Sequence, residues 1–228
     1  MKDKRFIRTS ALIGESALEK LNNSSVIVFG VGGVGSYVIE ALARAGIGKI
    51  TIVDFDRIDI SNINRQIIAL SSTVGELKAE VAKRRVHDIN PNCSVTAICK
   101  FVTSENIVEF DLQNYDAAAD AVDNVTAKLS IAKKCYSTGT KLISSMGTGN
   151  KTDPTKFKIC DIFETNVCPL AKIIRHEIKK NGIPSLKVVF SEEQPTIRSR
   201  PPASISFVPA AAGLLMASEI INNMILGK

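Results

Sequence analysis

A short β-branched run over residues 25–29 leads directly into Gly30-Val31-Gly32-Gly33-Val34-Gly35. Helical spacing of apolar residues follows over 34–45, until Gly46 and Gly48 stop it. A second apolar run, 49–53, closes on Asp54. The sequence between the two runs is enough for a crossover helix and little else, so the strands are predicted to be parallel. Glycines at such a junction allow a tight turn and close backbone approach to a phosphate, while the N–H groups that open the helix face an anion. A carboxylate ending the next strand can accept hydrogen bonds from ribose hydroxyls. Gly30, Gly32, Gly33, Gly35 and Asp54 are therefore candidate nucleotide-binding residues. By themselves they would serve NAD as well as ATP.

The pattern continues down the chain. Residues 76–89 read as a helix ended by Asn90-Pro91, 94–98 as a strand, 117–122 as an apolar strand closing on Asp123, and 141–145 as another strand. Strands alternating with helices predict an α/β fold, a Rossmann-type, doubly wound and mainly parallel sheet. After Gly147 the character changes. Strands are expected over 156–162 and 186–190, an amphipathic helix over 170–180, and an apolar helix over 207–226, with a proline-rich segment at 194–202. Without a linker or internal repeat, residues 1–228 read as one domain. Residues 1–147 would form a nucleotide-binding core, and 148–228 a C-terminal elaboration on the substrate side.

With 228 residues, 45% of them hydrophobic, the chain can bury a full core. Its net charge of +6 permits an anionic partner such as nucleic acid. Cys93, Cys99, Cys135, Cys160 and Cys168 form no CxxC pair, so neither structural zinc nor a disulfide framework is expected. The charged N-terminus has no secretory character, and the odd cysteine count suits a reducing, cytoplasmic compartment. The run 207–226 is long enough to span a membrane but holds Glu219, Asn222 and Asn223. An acidic residue near the centre of a span costs roughly 2.5–3.5 kcal/mol, so a buried helix and no membrane attachment are expected.

Polar residues crowd the segment 54–66, Asp56, Asn62 and Arg65 among them, just beyond a strand's C-terminal end, where open α/β sheets bind ligands. A dehydrogenase has no evident need for them. His87 and His176, the only histidines, fall on predicted surface helices and offer no proton-transfer dyad. Arg65 and Lys78 are two cations suited to charge on a transferring phosphate, although position alone also allows Lys78 a solvated helix face. Asp123 could hold magnesium beside a triphosphate, or could cap the following helix.

Four ordered motifs now stand in the chain: the glycine loop, D-x-D-x-x-x-x-S-N-x-x-R-Q from Asp54, V-G-x-x-K ending at Lys78, and D-x-x-D-N from Asp120. Together they resemble the E1-like superfamily of activating enzymes. The stretch 147–155, the Pro169-Leu170-Ala171 helix start and Ser204-Ile205-Ser206-Phe207-Val208-Pro209 resemble the tRNA threonylcarbamoyladenosine dehydratases. The resemblance implies ATP and Mg2+ as cofactors and cleavage of ATP to AMP and pyrophosphate. Adenylation of the threonyl carboxylate on a tRNA adenosine would then allow ring closure with net loss of water. It implies that Asp54 binds ribose, that Asn62, Arg65 and Lys78 contact phosphates, and that Asp123 manages a transient magnesium; Asp56 belongs to the same nucleotide set.

Arg5-Phe6-Ile7-Arg8 resembles a family segment whose second arginine reaches across a homodimer interface, so Arg8 would act in trans. Read without the family, it is a basic tail near a terminus. The resemblance also leaves open a sulfur-relay partner protein, and adenylation of a ubiquitin-like sulfur carrier is the alternative activity. Activators of such carriers typically have two CxxC zinc pairs, which this sequence lacks.

Lys172, Arg175, His176, Lys179 and Lys180 recur at i, i+3, i+4, i+7 and i+8, while Leu170, Ile173, Ile174 and Ile178 fall on another face. Such a basic stripe is either a solvated face or a contact for phosphate backbone. With tRNA as the implied partner, Lys172, Arg175, Lys179 and Lys180 are candidate RNA-binding residues, and Lys83, Arg84 and Arg85 a second candidate group.

Overall fold

A computed structural model describes residues 3–195, 197 and 199–226. Two helices, α1 (Ile7–Ile13) and α2 (Glu15–Asn23), precede the first strand and meet at Gly14, whose φ is 86°. Periodicity did not announce them, because α1 buries none of its residues and α2 only Ala17 and Leu21. Then come β1 (Ser25–Phe29), α3 (Gly35–Ala45), β2 (Lys49–Val53), α4 (Lys78–Ile89) and β3 (Ser94–Ile98). The second half holds β4 (Ala117–Asp120), α5 (Val125–Thr138), β5 (Lys141–Ser145), β6 (Phe157–Asp161), α6 (Pro169–Lys180), β7 (Lys187–Ser191) and α7 (Phe207–Leu226).

The seven strands form one sheet in the order β3-β2-β1-β4-β5-β7-β6. Every neighbouring pair is parallel except β6 and β7. The α/β, doubly wound reading therefore holds. Val26 lies beside Ile50 on one flank and Ala117 on the other. Both faces of β1 are covered: Val26 and Val28 join the core under α3, α4 and α7, while Ile27 and Phe29 join the core under α5. This two-sided burial is why the strand reads as a continuous apolar run. A third cluster packs α6 against β7 and α5.

Of the boundaries that differ from the sequence reading, two have clear local reasons. Helix α4 begins at Lys78 rather than 76, because Leu77 is extended and bridges Arg57, while Ile58 N donates to Glu76 O. Strand β4 stops at Asp120 rather than 122, because Val122 N turns back to the Asp120 carboxylate.

Helix α7 is long and apolar enough to cross a membrane by those criteria alone. Here it packs on α3 and β5. A Cβ on Gly213 would come within 2.4 Å of Val34 O, so glycine permits the close crossing. Val208, Met216 and Ile220 are buried in that contact, each contributing roughly 1.5–3 kcal/mol.

Candidate nucleotide site

The strand order reverses between β1 and β4, and a crevice opens there beyond the C-terminal ends of the strands, as open α/β sheets require. It contains a cavity of about 690 Å³. Gly30, Gly32, Gly33, Asp54, Asp56, Asn62, Arg65, Lys78 and Asp123 all line it, residues that lie up to 93 positions apart in the chain. Gly30 has φ +88°, and a Cβ there would meet Ala121 O at 2.8 Å, so both conformation and space demand glycine. Gly35 is buried outside the lining, where a Cβ would stand 1.8 Å from Gly30 O. It closes the loop on the helix instead of facing a ligand.

Asp54 braces that loop. Its Oδ2 accepts from Val31 N at 2.6 Å and its Oδ1 from Asp56 N at 2.8 Å. Burial pushes its pKa up, against the opposing pull of those two N–H groups and of Lys78. Each oxygen retains a lone pair for a further donor such as a ribose hydroxyl.

Lys78 is 6% exposed, which removes the solvated-face reading, and its Nζ lies 2.8 Å from Asp56 Oδ2. Arg65 Nη1 donates to Ser61 O and Asn64 Oδ1. The Asn62 Oδ1 accepts from Asp59 N, leaving its amide N–H groups for other acceptors. The cap of α5 belongs to Asn124, whose Oδ1 accepts from Ala127 N at 3.0 Å. Among the described residues nothing hydrogen-bonds or pairs with the exposed Asp123 carboxylate.

Beneath Asp123 lies a buried network that the sequence did not announce. Lys128 Nζ reaches Asp120 Oδ2 at 3.1 Å and Ser145 O at 2.7 Å, and Ser144 Oγ donates to Asp120 Oδ2 at 2.6 Å. Both charged side chains are 1% exposed. The network ties the ends of β4 and β5 to α5, fixing the turn that carries Asp123. At the mouth, half-exposed Phe55 and Phe101 meet edge to face with centroids 4.8 Å apart, also unanticipated, because neither residue belongs to a periodic run.

Arg8 is exposed on α1 and does not line this cavity. On α6, Lys172, His176, Lys179 and Lys180 are exposed, but Arg175 is half-buried with Nη1 donating to Thr165 O and Oγ1. Arg175 is thus committed to the fold, and Ile173, expected on the apolar face, is 48% exposed. In the second basic group Arg85 bonds Glu40 and Arg84 pairs with Glu76, leaving Lys83 outside those pairs. No cysteine lines the cavity among the described residues. Burial pushes the Cys93 thiol up to about 11 and Cys135 to about 12, away from thiolate chemistry.

Fold and cavity together define a nucleotide-binding α/β protein of Rossmann type, with an acid and two cations converging on a glycine loop. The chain belongs to the ThiF family, whose model matches residues 4–228. It is 42% identical to the tRNA threonylcarbamoyladenosine dehydratase of Bacillus subtilis, over 97% of this chain and 94% of that protein. Crystal structures of the Escherichia coli tRNA N6-threonylcarbamoyladenosine dehydratase, in complex with AMP and with ATP, match with a TM-score of 0.93 at 35% identity. They cover 98% of this chain and 95% of theirs. Escherichia coli MccB in complex with ATP, at 21% identity and a TM-score of 0.72, shares the fold.

Proposed function

We propose that the protein is an ATP-dependent tRNA threonylcarbamoyladenosine dehydratase. The observation that carries this reading is the likeness, along nearly the whole chain, to dehydratases solved with ATP and AMP, joined to a cavity lined by the residues that such chemistry needs.

In this reading the glycine loop and the first turn of α3 cradle phosphate, and Asp54 accepts from the ribose while holding the loop in shape. Lys78 and Arg65 face the β- and γ-phosphates, with Asn62 donating beside them. The threonyl carboxylate attacks the α-phosphorus and pyrophosphate leaves, the cations stabilising the charge that develops on it. An internal nucleophile of the threonylcarbamoyl group then attacks the activated carbonyl carbon and expels AMP.

The Asp123 carboxylate, without a partner among the described residues and opening beside the phosphate cradle, fits a magnesium ion held by one carboxylate and the substrate's phosphates. Mg2+ would shield phosphate charge there.

Arg8 supports a homodimeric enzyme. It lies outside its own chain's cavity, on a helix that also exposes Ile7 (52%) and Leu12 (86%), as expected of a residue delivered to a second copy's site. The exposed lysines of α6 approach the tRNA backbone, and Leu170 at the start of that helix lines the cavity. The enzyme works in the cytoplasm, where its tRNA substrate resides.

Incubation with ATP, Mg2+ and tRNA bearing threonylcarbamoyladenosine, followed by mass spectrometry of the nucleosides, tests the proposal. Loss of one water from the modified nucleoside, with AMP formed, is expected; intact nucleoside after prolonged incubation with properly modified tRNA would refute it.

A further inference from the structure

Beyond β7 the chain returns across the mouth of the cavity, and Pro201, Pro202 and Ser204 form part of its wall. Residues 199–204, the strap, form no helix or strand. Asn150 holds them, from a left-handed backbone at φ 58°. Its Oδ1 accepts from Ala203 N at 2.8 Å and from Ser199 Oγ at 2.9 Å, and its own N–H donates to Ala203 O at 2.7 Å. A second clasp runs from Asn64 Nδ2 to Ser204 O at 3.0 Å. Upstream of the strap, the Glu193 carboxylate accepts from Thr152 N and Asp153 N, both at 2.9 Å, and Lys151 Nζ donates to Glu193 O at 2.8 Å. Gly149 completes the seat, since a Cβ there would lie 2.6 Å from Pro202 Cβ. So many side-chain bonds on one short segment fix it at a mouth where a loop would otherwise move.

We propose that this strap decides the fate of the activated intermediate, with Asn150 as the positioning residue that keeps it closed. The inference rests on the dehydratase reading above. Once the carboxylate has displaced pyrophosphate from ATP, the acyl adenylate has two exits. In ring closure the internal nucleophile bonds to the carbonyl carbon, the acyl–phosphate bond breaks, AMP leaves and the nucleophile's proton goes to solvent. In hydrolysis water bonds to the same carbon, and AMP and the original carboxylate are released, so one ATP is spent without product. Both routes break the same bond, and the enzyme favours the first only by excluding water and holding the internal nucleophile close. A wall of two consecutive prolines offers no backbone N–H to anchor water there.

The test is the ratio of AMP to cyclic nucleoside, measured as initial rates with ATP, Mg2+ and modified tRNA. The wild-type chain is expected to form about one AMP per cyclic nucleoside, and Asn150→Gly, which keeps the backbone conformation but removes the clasp, roughly three or more. Asn150→Asp retains the acceptor for Ala203 N and Ser199 Oγ and should restore a ratio near that of wild type. Asn64→Asp, an exposed change that keeps the acceptor for Arg65 Nη1 but removes the donor to Ser204 O, opens the other clasp and decides the matter should the Asn150→Gly chain not fold. An unchanged ratio in the clasp variants, whatever happens to their rates, overturns the strap's role and leaves the dehydratase reading standing. Absence of cyclic product from the wild-type chain overturns both.

Discussion

Lys78 Nζ lies 2.8 Å from Asp56 Oδ2, with the lysine buried at the first position of α4 and the aspartate three residues past the end of β2. The carboxylate aims the ammonium into the cavity, and the backbone bond from Lys78 N to Asp56 O holds the two segments together. Because the Asp56 side chain is 46% exposed, it tolerates loss of its partner. Lys78→Met is therefore expected to leave a folded protein whose turnover falls by on the order of 10²–10³. Magnesium-dependent pyrophosphate exchange, alongside a thermal melt, measures both halves of that statement.

Asp123 makes no described bond within the chain, since Asn124 supplies the helix cap. Asp123→Ala should therefore abolish cyclisation without lowering the melting temperature; Arg65→Ala should also abolish it, with a small loss of stability from its exposed bonds to Ser61 O and Asn64 Oδ1. Retention of normal rates at saturating Mg2+ would show that the reacting phosphate lies elsewhere in the cavity.

The trans role of Arg8 is open to complementation. Arg8→Ala and Lys78→Met homodimers should each be inactive. Mixed and allowed to exchange subunits, they form heterodimers with one intact site, so about a quarter of wild-type activity should return. If Arg8 acted within its own chain, each heterodimer would combine both defects at different sites and no activity would return.

Glu40 on α3 accepts from Arg85 Nε on α4 at 2.6 Å and from Arg44 Nε at 2.7 Å. Burial pushes its pKa up, but the two guanidinium groups together outweigh that and hold it below the usual glutamate value. A depressed folded-state pKa contributes stability fully present above the unfolded-chain value, roughly 4.3, and lost as pH falls through the folded one. Glu40→Gln should cost about 1–3 kcal/mol near neutral pH. Urea titrations should find that difference shrinking below the usual glutamate range.

For tRNA, the candidate contacts on α6 reduce to Lys172, Lys179 and Lys180, because Arg175 is held by Thr165. Reversing these three charges should weaken tRNA binding and flatten its salt dependence by about 0.7–0.9 in log–log slope per lost phosphate contact. Calorimetry should find ATP affinity unchanged, since none of the three lines the cavity.

How much of this was legible in advance depended on whether the information was local. All seven strands, the crossover helices and the switch-point loop were readable, most of them because both faces of a parallel sheet are buried, leaving apolar runs punctuated by glycine. The motif residues of the cavity were readable because a glycine, an acid and cations in fixed order need only the neighbouring strand ends to bring them together. Tertiary structure alone decided the rest. It determined that Asn124 and not Asp123 caps α5, that Arg175 and Arg85 are spent inside the fold, and that Lys128 is buried against Asp120. It also brought Asn150 to residues 199–203, about fifty positions on. Side chains of one type carry the same chemistry in sequence whether free or bound, and only their packing partners, far away along the chain, determine which.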